Sequence, residues 1–197
     1  MRKAAVLTVP GLGGSGPNHW QTLWEHEPNI SRVEQRDPDD PVLAEWVARL
    51  DRAVTQAQAP VVLVAHSLGV ALVNHWAGRV QGHVKGALLV APADVDAKDH
   101  PPEAQRFGPM PLAPLPFPSI VVASENDPFV SLDRARFFAD VWGSRFVNVG
   151  RLGHINADSG LGRWADGFAL ADELRRGLAA RSDERVVELA VLKLLQE

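Results

Sequence analysis

Pro60–Gly69 reads PVVLVAHSLG, and the fold turns on this stretch. An apolar run over 61–65 leads into Ser67, and Val70-Ala71-Leu72-Val73 then opens a helical pattern. Strand, sharp turn and helix follow one another, with the serine at the apex. A turn this tight lifts the hydroxyl above the strand end, where a carbonyl carbon and an imidazole can both reach it. Ala65 and Gly69 flank the serine at two residues on either side, and their small size lets the helix pack close to the strand. The usual pattern has glycine where Ala65 stands.

A serine before an apolar helix also reads as a plain N-cap, so the turn needs support from elsewhere. Two later segments give it. Asp127 lies in IVVASENDPFV (120–130) and His154 in FVNVGRLGHIN (146–156), each just past an apolar run. The chain order Ser, Asp, His is that of α/β-hydrolases. A parallel sheet would bring all three to one edge. Asp94, after the run that ends at Val90, is the competing acid, and Glu125 is a lesser one.

Apolar runs occur near 4–9, 61–65, 86–91, 119–123 and 145–149, with a weaker one at 31–36. Helical patterns separate them at 42–58, 68–79, 131–142 and 161–180. Asp39 or Asp40 is expected to cap the first of these, and Ser131 the third. The alternation predicts an α/β fold: one domain, a mostly parallel sheet of about six strands, helices on both faces and no large cap domain. Segment 92–118 interrupts the pattern. It holds eight of the chain's 15 prolines, which excludes a long helix there and leaves a surface connection or a short lid beside the site. Segment 183–196, DERVVELAVLKLLQ, is helical by propensity and is either a last docked helix or a surface for homo-oligomers.

Composition removes several function classes. The 197 residues suffice for one domain with a substantial core. Net charge is −4 with acids and bases interspersed, so no basic face points to nucleic acid. No apolar run approaches the ~20 residues that span a bilayer. There is no cysteine, so disulfides and thiolate chemistry are out. A cytoplasmic location is the default. No H-E-x-x-H or similar ligand cluster occurs, so neither a metal nor another cofactor is expected.

The candidate chemistry is acyl transfer. A serine hydroxyl needs a base during attack, and His154 would take the proton and return it to the leaving group. Asp127 would orient the imidazole. Leu68 N–H and a donor from the glycine loop after the first strand, placed at Leu12 with Gly11 as its neighbour, would form an oxyanion hole. That loop, PGLGGSG (10–16), also resembles a dinucleotide fingerprint, but its spacing is wrong for G-x-G-x-x-G. His66, within the turn, has packing as its plain role. His75 reads as structural. His19 either faces the site with Trp20 or stabilises the loop.

Four motifs together narrow the reading: GLGGSGPNHWQ (11–21), VAHSLG (64–69), SENDPFV (124–130) and GHINADSGLGRWADG (153–167). They resemble the small serine hydrolases related to retinoblastoma-binding protein 9, the YdeN family, from about residue 4 to 175. The resemblance implies a compact α/β-hydrolase with catalytic roles on Ser67, Asp127 and His154. It implies that Asn18, His19 and Trp20 help shape the site; Gly11 and His66, read from their places in the loop and the turn, are counted with them as substrate-binding candidates. It departs at Pro38, where many relatives carry tryptophan. The expected substrate is a small carboxylic ester or related acyl compound, with short acyl groups handled best. Amidase, aminopeptidase, thioesterase and lactonase activities would use the same residues. A non-catalytic protein-interaction module on the same fold is the rival from another class.

Overall fold

The apolar run before Ser67 becomes β3 (Val61–His66), and each of its residues is buried. The computed structural model describes residues 4–79 and 83–177. β3 lies between β1 (Ala5–Val9) and β4 (Val84–Val90). The sheet continues to β2 (Ile30–Arg32) on one side and to β5 (Ser119–Ala123) and β6 (Arg145–Asn148) on the other. The order is β2-β1-β3-β4-β5-β6 and every pairing is parallel. Strands covered on both faces read as continuous apolar runs, which explains the signal in the sequence.

Alternation along the strands divides the core. Leu63, Ala65, Leu89 and Val121 face α2 (Leu43–Gln56), α3 (Leu68–Ala77) and α5 (Leu132–Trp142). Val62, Val64, Leu88 and Val122 face α1 (Trp20–Trp24) and α6 (Ala165–Arg176). Strand order reverses direction at β1, because β2 is added on one side of it and β3 on the other. The crevice at the strand ends beside that reversal is where open α/β sheets take ligands.

Two helix ends differ from expectation. α2 is capped by neither Asp39 nor Asp40. Its N-cap is Val42, with no side-chain cap bond. The helix begins at Leu43, too far along for either carboxylate to reach its free N–H groups, and Asp40 instead pairs with Arg106. The expected helix over 161–180 is α-helical only from Ala165 to Arg176. Trp164 has φ 38° and Gly162 φ 53°, which exclude helix before it, and Gly177 at φ 73° closes it. Residues 178–180 and the segment 183–196 lie outside the described residues. Ser131 does cap α5, accepting from Arg134 N–H at 3.2 Å.

Within 92–118 the only helix is the four-residue α4 (Pro102–Gln105). Phe107, Met110, Leu115 and Phe117 are buried in the core on the α3 side, so the segment is packed onto the body. Gly69 permits a close approach, though its neighbour is the end of β1 rather than β3. A Cβ there would stand 2.3 Å from the Val9 carbonyl oxygen. Among the described residues no helix is long and apolar enough to cross a membrane.

Candidate active site

Ser67 stands between β3 and α3 with φ 55° and ψ −122°, a conformation that L-residues rarely adopt. Its backbone N–H donates to the Val90 carbonyl at 3.0 Å, and its carbonyl accepts from Val70 N–H at 2.9 Å. The turn is therefore held from both the neighbouring strand and its own helix. It makes no side-chain cap bond, so the plain N-cap role is absent.

The hydroxyl meets His154, whose Nε2 lies 2.8 Å from Ser67 Oγ. On the other side of the ring, Nδ1 lies 2.9 and 3.0 Å from the two Asp127 oxygens. A carboxylate only accepts, so Nδ1 carries the proton and Nε2 is free to accept from the serine. The Asp127 side chain is fully buried, and its Oδ1 also accepts from Phe129 N–H at 2.9 Å. Asp94 is engaged elsewhere: both its oxygens bind the Arg134 guanidinium, at 2.9 and 3.2 Å. Glu125 accepts from Asn148 Nδ2.

The His154 loop is fixed at many points. Ser124 Oγ accepts from Leu152 N–H at 2.8 Å and Asn126 Oδ1 from Gly153 N–H at 2.9 Å. Trp20 Nε1 donates to the Ile155 carbonyl at 2.7 Å, and Trp24 Nε1 to that of Arg163. His66 Nε2 donates to the carbonyl of His154 itself at 2.8 Å. Burial, then the proximity of His154 and His19, pushes His66 well below the ordinary histidine range.

The glycine loop lies against the elbow. A Cβ on Gly11 would stand 2.9 Å from both the His66 carbonyl oxygen and Ser67 Cβ, so only glycine brings the loop this close. Gly13 N–H donates to the Pro38 carbonyl and Gly14 N–H to that of Gly11. The Leu12 and Leu68 amides find no acceptor among the described residues. Gln21, fully buried and not singled out in the sequence, ties the loop down. Its Nε2 donates to the Val64 carbonyl at 2.9 Å, and its Oε1 accepts from Ser15 Oγ at 2.6 Å.

A cavity of about 290 Å³ opens at Ser67. Its lining includes the apolar Leu12, Ala93, Pro101, Ala104 and Phe129. Its polar lining includes His19, His66, His154 and Asn156. Phe129 packs edgewise on His154, with ring centroids 4.6 Å apart. His100 Nε2 donates to the Phe129 carbonyl at 2.6 Å, which joins segment 92–118 to the Asp127 loop. Of the residues expected to shape the site, His19 and His66 line the cavity, whereas Asn18 is exposed and outside it. Trp20 is buried behind the His154 loop, and Gly11 packs on the elbow. Each acts through the framework rather than as a wall. Pro38, the point of departure, supports the glycine loop from below, 3.7 Å from where a Gly14 Cβ would be. His75 bonds the Phe107 carbonyl and stays structural.

A family model described as serine hydrolase matches residues 6–173. The chain belongs to the serine hydrolase family. Its fold is similar to that of a YdeN-like hydrolase from Pectobacterium atrosepticum, at 34% identity and TM-score 0.80 over 90% of this chain and 94% of that one. It also resembles the ydeN gene product of Bacillus subtilis, at 19% identity and TM-score 0.71 over 87% and 98% of the two chains. Est1E from Butyrivibrio proteoclasticus shares the fold at 13% identity and TM-score 0.66, over 91% and 90%. No curated protein matched the sequence.

Proposed function

We propose that this serine hydrolase cleaves small carboxylic esters through an acyl-enzyme on Ser67. The single observation that supports this most is the bond from Ser67 Oγ to His154 Nε2, continued by Nδ1 to Asp127. In the proposed reaction the Oγ–H proton passes to His154 Nε2 as Oγ bonds the ester carbon. The carbonyl oxygen becomes an oxyanion facing the Leu12 and Leu68 amides. Each such donor contributes about 2.7–4 kcal/mol to lowering the barrier. The C–O bond then breaks, and the leaving oxygen takes the proton from His154. Water repeats the sequence on the acyl group. Asp127 holds the ring in the tautomer this needs and stabilises the transient imidazolium.

A cavity of about 290 Å³ favours short acyl groups, and its apolar lining is the natural place for them. The test is the intact mass after exposure to a fluorophosphonate. One adduct on wild type and none on Ser67→Ala is the expected result. A folded wild type that takes no label would overturn the reading and favour an interaction module on a hydrolase fold.

A further inference from the structure

His19 is 4% exposed, yet it lines the cavity at Ser67. Its Nδ1 is committed, accepting from Gln21 N–H at 3.2 Å at the start of α1. An imidazole that accepts at Nδ1 carries its proton at Nε2. That Nε2 is buried and has no partner among the described residues. Buried donors are nearly always met by an acceptor, so one without a partner at a cavity wall points to a ligand.

The neighbouring rings say where that ligand atom would be. His19, His66 and His154 form a row, with successive ring centroids 4.8 Å apart. His66 spends its Nε2–H on the His154 carbonyl. His154 faces Ser67 and Asp127. Of the three, His19 alone has an N–H to offer, and it stands at the end of the row that starts from the base, His154. In acyl transfer the leaving group departs toward the base, because the base protonates it. The row of rings that runs out from His154 therefore lies on the side where the alcohol leaves.

We propose that the site takes short-chain acyl esters of hydroxylated alcohols, with His19 Nε2–H donating to an oxygen of the leaving group. This rests on the serine-hydrolase reading and adds the chemistry of the alcohol. Burial, then Arg32 and His154, holds the His19 pKa at about 4, so the donor is neutral at working pH. A neutral donor suits a hydroxyl or ether oxygen better than a carboxylate or phosphate.

The experiment compares kcat/KM for 2-hydroxyethyl butyrate and n-propyl butyrate, which share an acyl group and nearly match in size. Wild type is expected to favour the hydroxyethyl ester about tenfold, the discrimination one buried donor gives when it is left unmatched. In His19→Asn the ratio should fall to near one. Asparagine Oδ1 can still accept from Gln21 N–H as a cap, and its Nδ2 donors stop short of the Nε2 position, so the variant withdraws the donor from the ligand and keeps the helix start. A wild-type ratio near one overturns the proposal, whether or not the variant folds. A tenfold ratio that persists in folded His19→Asn overturns the assignment to His19. Fluorophosphonate labelling of the same samples separates the two levels. Labelled enzyme with no alcohol preference, or with no turnover of either ester, sinks the alcohol specificity alone. Unlabelled enzyme sinks the serine-hydrolase reading with it.

Discussion

His66 donates from Nε2 to the backbone carbonyl of His154 at 2.8 Å, so the residue next to Ser67 in sequence holds the loop that faces Ser67. The two halves of the site are thus joined by a bond independent of the one between Ser67 and His154. A displacement of about 1 Å in such a group can cost a hundredfold in rate. His66→Ala is expected to lower kcat about 10–100-fold with little change in KM. His66→Gln, whose amide N–H can reach the same carbonyl, should recover part of the loss. The rate of fluorophosphonate labelling should follow kcat across the three proteins. Equal labelling rates in all three would confine His66 to packing.

Asp127 and Asp94 both follow strands at the same sheet edge, yet their partners differ. Asp127 meets His154 Nδ1, whereas Asp94 meets Arg134. Asp127→Asn permits the wrong imidazole tautomer and should reduce kcat by about 10⁴. Asp94→Asn should leave kcat within a few-fold and cost about 1 kcal/mol of stability through the weakened Arg134 clamp. Steady-state kinetics and urea titration of both variants check this. The reverse pattern would move the acid to Asp94.

Ser67 is held at φ 55° and ψ −122° by the turn, and a side chain there is strained. Such strain is worth about 1–3 kcal/mol and belongs to the functional position. Removing the hydroxyl alone leaves it in place, whereas removing Cβ releases it. Ser67→Gly should therefore unfold at a temperature several degrees above Ser67→Ala, with both inactive. For a chain of this size about 1 kcal/mol corresponds to about 2–4 °C. Equal midpoints would mean that the turn stores no strain in Cβ.

What the sequence disclosed follows from where its signals are local. Strands buried on both faces announce themselves as apolar runs, and the turn at Ser67 needs small neighbours that can be read directly. Order and position at strand ends put both Asp127 and Asp94 within range of His154, and only the partner of Asp94, Arg134, separates them. The cavity wall was not legible. Phe129, His100, Pro101 and Ala104 come together only because segment 92–118 folds back on the α3 side, and its buried residues have no period to betray this. Trp20 was placed near the site, but its indole serves the loop 135 residues away through a bond to Ile155. Motifs 11–21 and 153–167 are in contact, a pairing that the sequence does not announce. Each holds one tryptophan, Trp20 and Trp164, and those two rings meet with centroids 5.0 Å apart.

His19 also couples stability to pH. Its folded pKa is about 4, against about 6.5 in an unfolded chain, mainly because of burial. Between those values the unfolded chain binds the proton and the folded chain does not. Stability contributed by the neutral ring is therefore complete above about pH 6.5 and is lost as pH falls toward 4. His66, lowered in the same way and facing both His19 and His154, adds in the same direction. The His19 contribution amounts to about 2–3 kcal/mol between pH 7 and 4.5. Urea unfolding at the two pH values should show wild type losing more stability on acidification than His19→Asn, by about that amount. Whatever the stability of the variant at pH 7, its slope with pH must be shallower. Identical slopes in the two proteins would show that His19 takes up its proton without unfolding the loop around it.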